Sequence, residues 1–521
     1  MTDRKKDEEI PSKTGAKTYQ PPTGQQKVWS WTTAEKSINY SVTADWILIR
    51  KREKPVADVF YTYYGYKGKT SHVRPITFVF NGGPGASSAY LHVGTMGPKT
   101  VTFGERGECL PPPAKLKDNT ESWLDFTDLV FVDPVGTGFS RSLEEVDLSP
   151  PGIKEKEGSP AKETSQKEFY KMNRDLEVIG EFIQHFLSKY HRWSSPVFIA
   201  GESYGGFRVA KLSRKLQEDY GIGLSGVILI SPCLELATLS PSDYDVLNWI
   251  ESFPTMAATA AYHKRSFYFK DKQKEMSAIG TPGAPGAELK DLLKPIEDFA
   301  LNEMSSLLIQ GERMDMEKRK NILKKVVNFI AVPFEKMNKG YGRLSIWQFC
   351  RWLLQEERKW CGLYDASITV YDPFPDRDQF EGADPSLSGI EHAFSHGINT
   401  LLREHLELNC ERQYRLLSRE VNKSWKRDQQ KHFFDMQIGA TDDLRYAMAM
   451  NPQMKVFICH GVFDLVTPYF SSERVIQLMN LPEPLKKQIS FQVFHGGHMF
   501  YTWTYSRQFF KSRMNEFYKN F

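Results

Sequence analysis

A chain of 521 residues with 40% hydrophobic and 25% charged positions holds enough apolar material for a large buried core, which excludes extensive disorder and a bare single module. Its 68 Lys and Arg nearly balance 64 Asp and Glu, and a net charge of +4 excludes the strong field that would hold nucleic acid or an anionic membrane. No apolar run approaches the ~18 residues of a membrane span, and the length itself predicts one large domain with an insertion, or two domains.

Residues 1–27 are polar, Lys-rich and broken by Pro and Gly, and are expected to be a disordered lead-in, with order beginning near Val28. No apolar stretch follows the charged residues 1–9 before Trp29, so no secretory signal is read and a cytoplasmic home is expected. β-Branched and aromatic runs predict strands at 46–49, 59–63 and Ile76–Phe80, the last leading into the glycine-rich residues 81–85. Another buried-strand run, 129–132, ends at Asp133-Pro134, and the polar stretch 142–167 predicts a long exposed loop. Apolar residues spaced three and four apart over 169–186 predict a helix. Short apolar runs at 196–200 and Gly226–Ile230 flank a helical 207–216, the alternation of a parallel sheet with crossover helices.

Strand runs almost vanish between 236 and 440, where helical patterns such as 302–309 and 319–329 surround a Pro- and Gly-rich loop at 281–287. Alternation resumes with strands at 455–459 and Ile489–Phe494 and helices at 471–479 and 505–517. The expected class is α/β, with a core in two parts, 28–235 and 441–521, interrupted by a mostly helical insertion, 236–440. Cys109, Cys233, Cys350, Cys361, Cys410 and Cys459 contain no C-x-x-C pair, which predicts free thiols rather than zinc ligands or a disulfide framework.

Gly201-Glu202-Ser203-Tyr204-Gly205 matches G-x-S-x-G between a predicted strand and a predicted helix. The turn must be sharp to expose the hydroxyl, and glycines at its flanks allow the close approach. A plain structural turn would read the same, but the strand and helix favour a nucleophile. A serine needs a base and a group to orient it, and the α/β-hydrolase chain order is Ser, acid, His. Asp464 follows one late predicted strand and His498 the next, so both lie at strand C-terminal ends with Ser203. Alone, each reads as a cap or a turn; together they read as a triad. His495 and His498 form H-x-x-H without a third ligand signature, so no metal is expected, and His495 and His460 are read as structural. Asn81-Gly82-Gly83-Pro84-Gly85 can supply amide donors for an oxyanion hole, and it lacks the spacings of phosphate-binding loops.

These blocks, with Asp133-Pro134-Val135-Gly136-Thr137-Gly138-Phe139-Ser140 and Gly497-His498-Met499, resemble the serine carboxypeptidases, α/β-hydrolase-fold enzymes that remove C-terminal amino acids from peptides. The likeness runs from about residue 40 to the C-terminus, and Gly439-Ala440-Thr441-Asp442-Asp443-Leu444-Arg445 looks closest to the bacterial branch. The resemblance implies Ser203 as nucleophile, His498 as general base, Asp464 as its orienting acid, and the amides of Gly83 and Tyr204 as the oxyanion hole. It also implies that Asn81 and Glu202 bind the terminal carboxylate of a peptide substrate, with the insertion as a cap and no cofactor. Three positions depart from the family pattern: Ala86 replaces a Cys usual in secreted members, Val79 a common Trp, and Thr95 a second glutamate that hydrogen-bonds the carboxylate-binding one in the yeast and plant enzymes. An esterase or acyltransferase with the same triad is the second reading, and a silent scaffold that only binds partners the third.

Overall fold

The structure, a computed structural model, describes residues 19–33, 36–68, 73–143, 168–239, 242–272, 278–279, 281, 289–377, 382–426, 438–519 and 521. The lead-in at 1–18 and all but the start of the expected loop at 142–167 lie outside the described residues. Nine strands form one path through a mixed sheet: β1 (Gln25–Thr32), β2 (Ser37–Lys51), β3 (Lys54–Tyr66), β4 (Ile76–Phe80), β5 (Asp128–Val132), β6 (Val197–Glu202), β7 (Gly226–Ile230), β8 (Lys455–Gly461) and β9 (Ile489–Phe494). Their spatial order is β1-β2-β3-β5-β4-β6-β7-β8-β9. The first three strands and β5 pair antiparallel, and every pair from β5 to β9 is parallel. From β2 onward, the single exchange of β4 and β5 in a mostly parallel sheet is the order of the α/β-hydrolase fold.

The period-2 alternation of the strands divides their side chains between two cores, one on each face of the sheet. Phe78, Val130, Ile199, Val227 and Val456 enter one core, while Val79, Phe131, Phe198, Ile228 and Phe457 enter the other. Because both faces are covered, these strands read as continuous apolar runs rather than alternating ones. Helix α1 (Met172–Lys189) buries Leu176, Ile179, Phe182, Ile183 and Phe186 on the first face. There Phe182 and Phe186 meet the Tyr61 ring edge-on at 5.5 and 5.4 Å between centroids. Helix α2 (Tyr204–Tyr220) ends at Gly221, whose left-handed φ of 63° lets its N–H reach the carbonyl of Leu216.

Order starts earlier than Val28: β1 pairs with β2 from Gln25↔Ala44 to Thr32↔Ser37. As the outer strand of the sheet, with only Trp31 buried, it has no run of apolar residues to announce it. The two ends of the segment 236–440 lie side by side, where Leu236 N–H donates to Ile438 O at 3.1 Å and Ala440 N–H to Leu234 O at 2.8 Å. Within it, α3 (Val246–Tyr262), α4 (Leu289–Phe299) and α5 (Met316–Ile330) gather around a third core. Helix α6 (Pro385–Asn399) instead joins the second sheet-face core through Ile390, Ala393, Phe394 and Ile398. The predicted helix at 302–309 is interrupted by a π turn, Ala300–Met304, before Ser305–Gln310. No helix among the described residues is long and apolar enough to cross a membrane.

Candidate active site

The chain leaves β6 and enters α2 at Ser203, a non-glycine residue at φ 60°, ψ −124°. Such a conformation persists only when the surroundings enforce it, and here they do. A Cβ on Gly201 would lie 2.1 Å from Gly205 O, and one on Gly205 would lie 2.7 Å from Phe80 O. Both flanking glycines are therefore required by contact, as the motif predicts.

Asp464 follows β8 and His498 follows β9. Asp464 is fully buried, and its Oδ2 accepts from His498 Nδ1 at 2.6 Å. Three further donors fix the carboxylate: the N–H groups of Val466 and Thr467 at 2.9 and 3.0 Å, and the Thr467 hydroxyl at 2.7 Å. With the proton on Nδ1, Nε2 of His498 is the acceptor a hydroxyl nucleophile needs. Burial works against the imidazolium of His498, but the charge and hydrogen bond of Asp464, with Glu202 beyond it, outweigh burial and shift the net pKa upward. Ser203 and His498 line one cavity of about 200 Å³, together with Asn81, Gly83, Glu202 and Tyr364. No hydrogen bond joins Ser203 to His498 among the described residues; in free enzymes such contacts are often long and tighten when substrate binds.

The 81–85 loop crosses directly over Ser203. A Cβ on Gly82 would come within 2.7 Å of Tyr204 N and 2.8 Å of Ser203 Cβ, and Gly83 has φ 101°, open only to glycine. The loop is held from behind by Ser88 N–H, which donates to Asp133 Oδ1 at 2.9 Å. Asp133 is buried, and burial pushes its carboxyl up to about 7. Gly83 lines the same cavity as Ser203, and Tyr204 opens α2, where the helix dipole favours a negative charge.

Glu202 and Asn81 meet beneath this loop. Asn81 Nδ2 donates to Glu202 Oε2, and Tyr501 OH donates to Glu202 Oε1 at 2.7 Å. Burial pushes the Glu202 carboxyl up to about 7, against the opposing pull of His498, Tyr501 and Asn81. Tyr501, which the sequence pattern did not single out, is thus a hydrogen-bond partner of Glu202. Thr95 itself lies in a buried π turn, where its carbonyl accepts from Asn119 Nδ2 at 2.6 Å. His495 and His460 are engaged elsewhere, with Ala278 O at 3.1 Å and Thr467 O at 3.0 Å. No cluster of three or more potential metal ligands occurs among the described residues. A larger cavity of about 870 Å³, between α4 and β9, shares none of the candidate site residues.

Arg208 ties the base of the site together. It donates to Asp175 Oδ2 at 2.7 Å and to Asn81 O at 2.9 Å, and it is 1% exposed. Burial still pushes the Asp175 carboxyl up despite this partner. Arg208→Leu is expected to destabilise the fold by about 3–5 kcal/mol, because it strands a buried carboxylate, and adding Asp175→Leu should regain most of the loss. Denaturant unfolding of the three proteins checks this. A double variant no more stable than the single one would sink the pairing argument.

Residues 35–281 match the sequence model of the serine carboxypeptidase family. Among curated proteins, the chain is 28% identical over 199 residues to "Serine carboxypeptidase-like 13" of Arabidopsis thaliana, covering 37% of this chain and 40% of that one. It is 31% identical over 183 residues to "Serine carboxypeptidase-like 45" of the same plant, covering 34% of each chain. It is 27% identical over 188 residues to "Pheromone-processing carboxypeptidase kex1" of Schizosaccharomyces japonicus, covering 36% of this chain and 30% of that one. The chain therefore aligns with well under two thirds of these relatives. Of solved structures, the Kex1 carboxypeptidase of Saccharomyces cerevisiae aligns over 92% of this chain and 91% of its own, at 15% identity and a TM-score of 0.49. Asp464 and His498 lie beyond the matched residues, whereas Asn81, Glu202 and Ser203 lie within them. Across residues 35–281, the chain is similar to the serine carboxypeptidases.

Proposed function

We propose that the protein is a serine carboxypeptidase that releases C-terminal amino acids from peptides. The observation that carries this reading is the buried Asn81–Glu202 pair beside Ser203, since a triad alone serves any acyl transfer. Ser203 Oγ attacks the scissile carbonyl while His498 Nε2 takes its proton, and Asp464 stabilises the imidazolium. The Gly83 and Tyr204 amides receive the developing oxyanion. His498 then protonates the leaving amine, and water, deprotonated by the same imidazole, releases the acyl group from Ser203. Asn81 and protonated Glu202 hold the terminal carboxylate, and residues 236–440 cap the core formed by 28–235 and 441–521. No cofactor, nucleic acid or membrane enters the scheme.

The six cysteines are all free thiols, and free thiols suit a reducing compartment such as the cytoplasm, which we propose as the protein's setting. A bacterial placement rests on residues 439–445, outside the matched segment, and the relatives named above are plant and yeast proteins.

A peptide with a free C-terminus is expected to turn over at least about tenfold faster than its C-terminal amide, because the amide leaves Glu202 and Asn81 without their charged partner. Mass spectrometry of both digests checks this. Equal rates, or cleavage inside the chain, would move the esterase and acyltransferase alternative ahead.

A further inference from the structure

Residues 363–366, deep in the insertion, hydrogen-bond to both loops that carry the acid and the base. On the acid side, Leu465 N–H donates to Leu363 O and Ala366 N–H to Phe463 O, each at 3.0 Å, so both neighbours of Asp464 are held. On the base side, His498 N–H donates to Tyr364 O at 2.6 Å, and Gly497 N–H donates to Asp365 Oδ2 at 3.0 Å. The approach is as close as the backbone permits: a Cβ on Gly497 would sit 2.3 Å from both Asp365 Cβ and Tyr364 O. The segment is itself anchored to the start of α6, where Asp384 accepts from Leu363 N–H at 2.6 Å and Ser386 Oγ from Asp365 N–H at 3.0 Å.

Three of the four links to the acid and base loops join backbone to backbone. The fourth is made by the buried Asp365 carboxylate, which also accepts the N–H of Ser367 at 3.0 Å and its hydroxyl. It is the one link that a side-chain substitution can remove.

We propose that Asp365 is a positioning residue that, through Gly497, holds the His498 loop against the Asp464 loop, so that the insertion as well as the core sets the geometry of the base. This rests on the roles given above to Ser203, His498 and Asp464. Its physical basis is the steep dependence of proton transfer on alignment: a displacement of about 1 Å costs about 100-fold in rate. Without Asp365 the Gly497 N–H is left to find another acceptor, and the loop carrying His498 moves with it.

The test compares wild type, Asp365→Ala and Asp365→Asn on one free-acid peptide, with competent sites counted by fluorophosphonate labelling of Ser203. Asp365→Ala is expected to lose about 10–100-fold in kcat per labelled site, with KM nearly unchanged. Asn keeps an acceptor oxygen for Gly497 N–H and is expected to restore most of the loss. A purely structural residue would lower the number of labelled sites and leave the turnover of each intact. Unchanged kcat per site in Asp365→Ala overturns the proposal, as does a loss confined to KM. If that variant yields no folded protein, Ser367→Ala decides, because it keeps the carboxylate but removes the hydroxyl that orients it. A severalfold loss per site then supports the proposal, and wild-type turnover overturns it. Should the wild type release no C-terminal residue, the same comparison is run on an activated ester, whose acylation also needs His498, so that the positioning role and the peptidase reading fail separately.

Discussion

Replacing Ser203 with alanine is expected to lower kcat by about 10⁴- to 10⁶-fold while leaving the unfolding midpoint in place, since triad members act as a unit and only binding and the oxyanion hole remain. The expectation follows from the turn: at φ 60° the side chain is held over the cavity by Gly201, Gly205 and Gly82, none of which the substitution disturbs. Alanine keeps the Cβ, so the backbone strain stays and the nucleophile alone is lost. His498→Ala is expected to cost a similar factor. Rates on a free-acid peptide, with labelling by a fluorophosphonate probe, check both. More than a few per cent of wild-type turnover in Ser203→Ala would mean that another nucleophile does the work.

The parallel sheet was legible because burial on both faces leaves uninterrupted apolar runs, as at Ile76–Phe80 and Gly226–Ile230. The edge strand β1 was not, since its side chains are mostly solvated. The Ser203, Asp464 and His498 positions were legible because each follows a strand of that sheet, and strand C-termini gather at one edge. Tyr501 was invisible for the opposite reason: it lies 299 positions from Glu202, in a 3-10 turn that carries no motif. Thr95, which stands where the resemblance has a second glutamate, lies in a different turn, and the hydroxyl that bonds Glu202 comes from far along the chain. Asp365 escaped likewise. Its role is defined by contact with Gly497, and nothing in the spacing of the insertion brings the two together.

Peptide KM is expected to rise with pH above neutrality, by about tenfold per unit once Glu202 is ionised. The cause is the site's own electrostatics. Burial pushes the Glu202 carboxyl up to about 7, so below that value it carries a proton and can donate to a substrate carboxylate; above it, two anions would face each other. A raised carboxyl favours binding at low pH, and the benefit is lost as pH rises through the raised value. His498 sets the opposite limit: its pKa is also shifted upward, and it must lose its proton to act as base, so kcat/KM falls on the acid side. Because the two groups interact, the two limbs belong to the pair rather than to either residue. A bound carboxylate adds another negative charge beside Glu202 and holds its proton more tightly, so the alkaline limb should lie higher for kcat than for kcat/KM. Glu202→Gln keeps a donor without a charge that changes, and is expected to flatten the alkaline rise in KM. Tyr501→Phe removes one of the two donors that favour ionised Glu202, and should move the rise to higher pH. A neutral ester, which brings no carboxylate to Asn81 and Glu202, should show no such rise with any of the three enzymes. KM against pH for wild type, Glu202→Gln and Tyr501→Phe on one peptide and one ester decides the matter: superimposable peptide profiles for wild type and Glu202→Gln would remove Glu202 from carboxylate binding and leave Asn81 to hold the terminus without it.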